Sequence, residues 1–339
     1  MSENDNERVG YLTWYSVPDV SAPYADLADL AERVGFPADC VPTPPLPRHA
    51  WERATATGTR GIDVTPPLYL VDEIEHEYGV KPKVRLVTRV INNRAPNLVR
   101  HLVREAIIST ADSPRKQLDM GTVAVLKFNT NTAQSDLLVV RDPQGYVNGG
   151  VSDVVRGMDE RIEHLMTHAV SDEVRYGVRA VLERTHRTSL RGSGGVYFVP
   201  ASAPQAAERL TAMRDFIREL APWATGAEVP SCDVVTLRGS EAYDEIRETV
   251  SQSAMEEYTA QLDELREMIE PVLAGRAKGK VAQQINAKAI AKWQAINDGL
   301  DAYRTILRDS LSEMDGLIRQ MAGQVSQATG WNETVRRVL

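Results

Sequence analysis

Glu160, His164 and His168 are the residues whose types and spacing come closest to a metal site. They follow one another at steps of four, so on one helix their side chains would share a face. The apolar positions of that helix lie mostly elsewhere, and no glutamate stands next to His164 as a zinc hydrolase motif requires. We therefore interpret the three as a solvated helix face and predict no metal site. A metal-dependent hydrolase built on His164 and His168 is kept as a third class of function.

Two glycine-rich segments have part of the composition of a phosphate-binding loop. Residues 275–281 contain a Gly-Lys pair, but the spacing is wrong, no Ser or Thr follows the lysine, and no strand precedes it. Residues 192–195 are typical of a tight β-turn, because Leu190 and residues 196–199 flank them as strands. No Ser-His-acid or Cys-His arrangement can be located. We predict no catalytic residue and no cofactor, and we expect that the protein is not an enzyme.

Basic side chains accumulate between residues 171 and 197, where the pattern predicts a helix followed by a β-hairpin. The arginines of this segment are Arg175, Arg179, Arg184, Arg187 and Arg191. A helix, a helix and a hairpin form the order of a winged-helix protein, in which such arginines contact DNA phosphates and base edges. The other interpretation is a helix packed on a sheet with solvated or paired arginines. The apolar positions Val174, Val178 and Val181 and the net charge of −8 favour it.

Composition indicates an ordinary intracellular protein of two or three domains. The chain has 339 residues, of which 42% are hydrophobic and 25% are charged. Its two cysteines, Cys40 and Cys232, cannot form a disulfide framework. The first eight residues lack the basic start and apolar core of a signal peptide, and no apolar run reaches the length of about 18 residues that spans a bilayer. We expect a cytoplasmic protein.

The amino-terminal half is predicted to contain a first segment over residues 1–60 and an antiparallel β domain over 61–150. The first has a strand over 9–15, a helix from a Ser21 cap to Gly35, and a short helix over 49–55. Five prolines in residues 37–47 indicate a stiff connector, or alternatively a docking site for a proline-recognising partner.

Period-two patterns in the β domain predict about four strands, and a helix is predicted over residues 98–108 behind Asn97. A single helix among these strands argues against a doubly wound nucleotide-binding fold. Residues 151–239 are predicted to form a helix-helix-hairpin module, which a helix over 204–220 and a strand over 232–237 complete.

The last hundred residues predict two long amphipathic helices that form an antiparallel hairpin over residues 240–325, followed by a tail over 326–339. Apolar residues recur at steps of three and four from Val250 to Val272 and again from Trp293 to Val325, with Pro271 helping to end the first helix. The first helix is acidic and the turn is basic, so folding back would bring Lys292 near Asp263 and Lys288 near Glu264 or Glu267. A parallel pairing between two chains is the competing arrangement, and the acidic helix would then face its own copy.

Two short stretches resemble an uncharacterised family of proteins from prokaryotes, their phages and mobile elements. The residues that carry this resemblance are Ser-Leu-Arg-Gly-Ser-Gly-Gly-Val-Tyr-Phe-Val-Pro at 189–200, together with Val41, Pro42 and Ala-Trp-Glu-Arg-Ala at 50–54. The resemblance implies an accessory or virus-linked protein that lacks a catalytic signature.

We therefore expect an α+β protein with a C-terminal antiparallel helical hairpin, or coiled coil. The hypothesis for its function is non-enzymatic assembly, in which the hairpin binds another copy of the chain or a protein partner. The residues expected to contact that partner are Trp293, Ile296, Leu300, Tyr303, Leu307 and Met314. The alternative is a winged-helix regulator that binds DNA through the segment 175–191.

Overall fold

The structure is a computed structural model and describes residues 8–58, 61–64, 68–108, 116–140, 149–191, 195–238, 241–304, 306 and 311–330. The strands are β1 Arg8–Ser16, β2 Ser21–Pro23, β3 Ile62–Asp63, β4 Lys83–Asn92, β5 Asn97–Ile108, β6 Lys116–Asn129, β7 Gln134–Val139, β8 His168–Val170, β9 Thr188–Ser189, β10 Val196–Pro200 and β11 Ser231–Arg238. The helices are α1 Tyr24–Val34, α2 Pro47–Ala54, α3 Leu68–Tyr78, α4 Gly149–Thr167, α5 Ser171–Glu183, α6 Ala206–Arg218, α7 Glu241–Leu273, α8 Gly279–Tyr303 and α9 Leu311–Thr329. These elements and their antiparallel sheets confirm the α+β class.

The described chain forms two compact units. The first, called the sheet-bundle unit, comprises the described residues of Met1–Pro42 and Val170–Leu339, and the second, called the five-strand unit, lies within Thr43–Ala169. The helix-helix-hairpin segment predicted over residues 151–239 is divided between them. Its first helix, α4, belongs to the five-strand unit, whereas α5 and the hairpin strands belong to the sheet-bundle unit.

A four-stranded antiparallel sheet in the order β11-β1-β10-β9 forms the centre of the sheet-bundle unit. The predicted strand over residues 9–15 is confirmed as β1, in which Leu12 pairs with Phe198 of β10 and Val235 of β11. Gly10 is required beside them, because a Cβ at that position would lie 2.4 Å from Cζ of Phe198. The strand β10 therefore lies inside a sheet and is not a free wing of a winged helix.

The helices α1 and α6 of this unit were predicted within a few residues of their observed bounds, and α5 begins at Ser171, where its start was predicted. The helix α1 ends at Gly35, which adopts the left-handed conformation (φ 72°) as the sequence pattern requires. Its predicted beginning was wrong, because Ser21 lies in β2 and the helix starts at Tyr24 directly after Pro23. The aromatic rings of Phe36 and Phe216 stack with centroids 4.1 Å apart in the core beside these helices.

The five-strand unit contains an antiparallel sheet in the order β3-β4-β5-β6-β7. The helix predicted over residues 98–108 is wrong, because these residues form β5, the central strand. All five residues from Leu102 to Ala106 are buried, so both faces of the strand are covered here. Bulges also interrupt the pairing with β6 in this segment. The period-two alternation of apolar and polar residues is therefore lost, and the apolar residues are spaced as in an amphipathic helix. Arg85 and Arg89 neutralise the buried Glu105 at N–O distances of 2.9 and 3.1 Å.

Candidate interaction surface

The C-terminal helices α7, α8 and α9 pack together as a three-helix bundle. Their buried residues recur at the predicted steps of three and four. They are Val250, Ala254, Tyr258, Leu262, Leu265 and Ile269 on α7, Ala289, Trp293, Ile296, Leu300 and Tyr303 on α8, and Ile318, Met321, Ala322 and Val325 on α9. Full burial of each large side chain contributes about 1.5–3 kcal/mol, so these stripes supply the stability of the bundle.

The predicted helical hairpin is confirmed by α7 and α8, but its second helix was predicted too long, because that segment forms two helices. The helix α8 ends at Tyr303, and α9 begins at Leu311 and packs against both α7 and α8. Asn286, near the start of α8, donates to the carbonyl of Ala328, near the end of α9, at 3.1 Å. The sequence contains an indication of the second start, because Ser310 and Glu313 have the spacing of a capping box.

The predicted partner-binding residues lie inside the bundle wherever the structure describes them. Trp293, Ile296 and Tyr303 are fully buried, and Leu300 is 6% exposed. Leu307 and the side chain of Met314 lie outside the described residues. The apolar area that we assigned to a partner is therefore occupied by α7 and α9 of the same chain. A contact with a partner must instead use the outer surface of the bundle.

An aromatic cluster joins the bundle to the sheet. The ring of Tyr258 meets that of Tyr303 edge-on with centroids 5.8 Å apart, and the hydroxyl of Tyr303 donates to the carbonyl of Phe198 at 3.4 Å. Burial raises the pKa of both tyrosines. Gly299 makes this packing possible, since a Cβ there would lie 2.2 Å from Oη of Tyr258. The sequence offered one indication of this site, a glycine inside a helical pattern.

A partly buried ion pair lies beside this aromatic cluster. The carboxylate of Glu257 on α7 accepts from the N–H of Ser189 at 3.4 Å and lies 3.5 Å from the guanidinium of Arg187. Burial raises the pKa of Glu257, and Arg187 opposes that shift. Arg187 also pairs with Glu183 and lies over the ring of Tyr197 at 5.2 Å. The pair fixes α7 to the sheet, and pattern reasoning on either segment alone could not have paired these residues.

The outer surface of the bundle is sorted by charge. On α7, exposed acidic residues lie on the side opposite the buried stripe, and they are Glu256, Asp263, Glu267 and Glu270. Arg276, Lys278 and Lys280 are exposed at the turn between α7 and α8. Lys292 pairs with Glu264, the neighbour of the predicted Asp263, while Lys288 is exposed. Because such pairs contribute about 0–1 kcal/mol each, they set the register of α7 and α8 more than their stability.

Four of the five arginines considered for DNA binding make contacts within their own unit. Arg175 donates to the carbonyl of Val17, Arg184 forms two hydrogen bonds with Asp39, and Arg179 hydrogen-bonds Tyr15. The contacts of Arg187 are those given above. Arg191 is exposed.

Glu160, His164 and His168 do not all lie on one helix. The helix α4 ends at Thr167, so His168 belongs to β8, and its ring stacks on that of His164 with centroids 4.6 Å apart. Burial and then the neighbouring His168 lower the pKa of His164, while Glu160 pairs with Arg156 at 3.8 Å. Within the part of the chain that the structure describes, no three His, Cys, Asp or Glu side chains are grouped to hold a metal ion.

A family model with the description "Family of unknown function (DUF6744)" matches residues 8–332. The chain belongs to this family. The match covers every strand and helix given above, including the whole bundle. It confirms the expectation of an uncharacterised family. No curated protein and no solved structure matches the chain.

None of the helices in the described ranges combines the length and the apolar character that crossing a bilayer requires.

Proposed function

We propose that this protein is a non-enzymatic, cytoplasmic assembly protein that associates with further copies of itself, or binds a protein partner, through the outer surface of its C-terminal bundle. The observation that carries the proposal is a bundle whose apolar stripes are buried within the chain and whose exposed charges are unevenly distributed. Exposed charges on α7 are mainly acidic, with Arg247 and Arg266 as exceptions, whereas those at the turn and on the first part of α8 are basic. Charge sorting of this kind selects the orientation of a protein partner and excludes wrong ones.

The shape of the bundle supports the same function. The helix α7 has 33 residues and is therefore about 50 Å long. Contacts with the sheet and its flanking segments come from Glu257 near the middle of α7, which accepts from the N–H of Ser189. On α8, the hydroxyl of Tyr303 donates to the carbonyl of Phe198, and the carbonyl of Ala302 accepts from Ser202. The part of α7 beyond Leu262 packs on α8 and α9, so much of the bundle surface is available for contact with another molecule.

The contacts of the arginine segment weigh against DNA binding as the main function. Arg175, Arg184 and Arg187 would each have to leave an acidic or carbonyl partner before reaching a phosphate. The strand β10, which would form the wing, is paired on both sides within the sheet.

Sedimentation velocity of the full chain over a wide range of concentrations tests the proposal, with and without duplex DNA. We expect a mass that rises with concentration above the 37.5 kDa of one chain and that DNA does not change. A mass of one chain at every concentration would contradict self-association, and a mass that rises only with DNA would support the regulator instead. The full chain is needed because removing the bundle would uncover Phe198, Leu12 and Leu237 of the sheet.

A further inference from the structure

The helix α8 has an exposed face that points away from the core of the bundle. Its residues follow at steps of three and four, and all are exposed: Lys280, Gln284, Ala287, Lys288, Ala291, Gln294, Ala295 and Asp298. With about 3.6 residues per turn, they lie on the side opposite the buried Trp293 and Leu300. We call these eight residues the outer face of α8.

The charges on this face change sign along the helix, from basic near its start to acidic near its end. No acidic residue occurs from position 279 to position 297, and Lys280 and Lys288 lie in this part. Asp298 and Asp301 lie at the opposite end, where Asp301 pairs with Arg304 at 2.9 Å, so Asp298 is the acidic residue of the outer face. The middle of the face carries alanines, whose small side chains allow another helix to approach closely. A face that is basic at one end and acidic at the other is complementary to its own reversed copy.

We infer that a second copy of this chain packs its own α8 on this face in antiparallel direction, about a two-fold axis at Ala291. This inference rests on the proposed function and specifies that the partner on the outer face of α8 is a second copy of the chain. In this register Ala287 faces Ala295 of the second copy, and Lys288 faces Gln294. Gln284 faces Asp298, which brings Lys280 within one turn of that carboxylate. A two-fold axis forms every such contact twice and closes the assembly at a dimer.

Other arrangements of the bundle surface are electrostatically worse. A parallel pairing of α8 would place Lys280 beside Lys280 and Asp298 beside Asp298. Antiparallel helices also bring the positive amino end of each helix dipole near the negative carboxyl end of the other. A parallel pairing of the outer face of α7 with its own copy would place Glu256, Asp263 and Glu267 each beside the same acidic residue.

Cysteine cross-linking of the full chain tests the register. The native cysteines Cys40 and Cys232 are buried, so an engineered exposed cysteine is the one that reacts. Under mild oxidation with diamide, Ala291→Cys should give a disulfide-linked dimer in most of the protein. Ala260→Cys, an exposed position on α7, is the matched control and should give no disulfide-linked dimer. A mixture of Ala287→Cys and Ala295→Cys chains should cross-link to each other more than either does alone, which a parallel pairing would not produce.

Charge reversal tests the complementarity independently. Lys280→Glu and Asp298→Lys should each raise the dissociation constant of the dimer by about tenfold, because two equivalent contacts are lost. The double variant should return toward the wild-type value. Asp298 also interacts with His186, so the melting temperature of each variant must be measured to verify folding.

The outcomes separate this inference from the proposed function. If the wild type associates while Ala291→Cys cross-links no more than Ala260→Cys and the double variant does not recover, another surface is used and the inference is overturned. If the wild type has the mass of one chain throughout, self-association and the inference are both overturned.

Discussion

Replacement of Gly299 by alanine tests the contact between α7 and α8 in the bundle core. In an exposed helix position, alanine is more favourable than glycine by about 1 kcal/mol. At Gly299 the added Cβ would lie 2.2 Å from Oη and 2.9 Å from Cε1 of Tyr258, whose side chain is 4% exposed and meets Tyr303. Overpacking of this kind costs about 1–3 kcal/mol and here outweighs the gain in helix propensity. We expect a net loss of up to about 2 kcal/mol.

Calorimetry of the full chain measures this effect as a melting temperature lowered by up to about 3 °C. Gly323→Ala on α9 is the matched control, because a Cβ there meets nothing within 4 Å, and it should raise the melting temperature. Adding Tyr258→Phe to Gly299→Ala removes the nearest atom and should recover part of the loss. If Gly299→Ala stabilised the protein as much as Gly323→Ala does, the described packing of α7 on α8 would be refuted.

Further predictions concern Gly177 and Gly157, the partly buried Glu257, and the two cysteines. Gly177→Ala should destabilise the protein by about 2–3 kcal/mol, because the added Cβ would lie 2.2 Å from the carbonyl oxygen of Cys40. Gly157→Ala is the control, since its Cβ would meet nothing within 4 Å, and it should be neutral or stabilising in the same melting experiment. Because burial raises the pKa of Glu257 above its ordinary value of 4.5, its contribution to stability is fully present below pH 4.5 and is lost as the pH rises through the raised value. Glu257→Gln should therefore gain stability relative to the wild type between pH 4 and pH 8 in melting curves, and a growing deficit would show that its ion pair outweighs burial. Burial raises the pKa of Cys232 to about 11 and also raises that of Cys40, so a thiol reagent at pH 8 should label neither in the native protein and both after denaturation, and rapid native labelling would contradict their burial.

Local periodicity predicted the elements whose burial is one-sided. The stripes of α7 and α8 and the glycine stop of α1 each follow from one buried face or one backbone requirement. The same reasoning failed at β5, where both faces are buried and the bulges near Val103 break the period. It also ran α8 and α9 together, because one apolar rhythm continues across the break after Tyr303.

The candidate surface was predicted only in its location on the C-terminal helices. The pattern identified Trp293 and Tyr303 as apolar, but a pattern cannot tell whether a buried side chain faces its own chain or another. The pairing of Glu257 with Arg187 and the packing of Tyr303 on Phe198 join segments that are far apart in sequence. Such contacts depend on the three-dimensional arrangement, and one sequence does not encode them as a local signal.

Whether the outer surface of the bundle holds chains together is tested most directly by the mass of the full protein in a dilution series. We expect a mass near that of two chains at high concentration, which falls smoothly to the 37.5 kDa of one chain on dilution. A mass of 37.5 kDa across the whole series would contradict it.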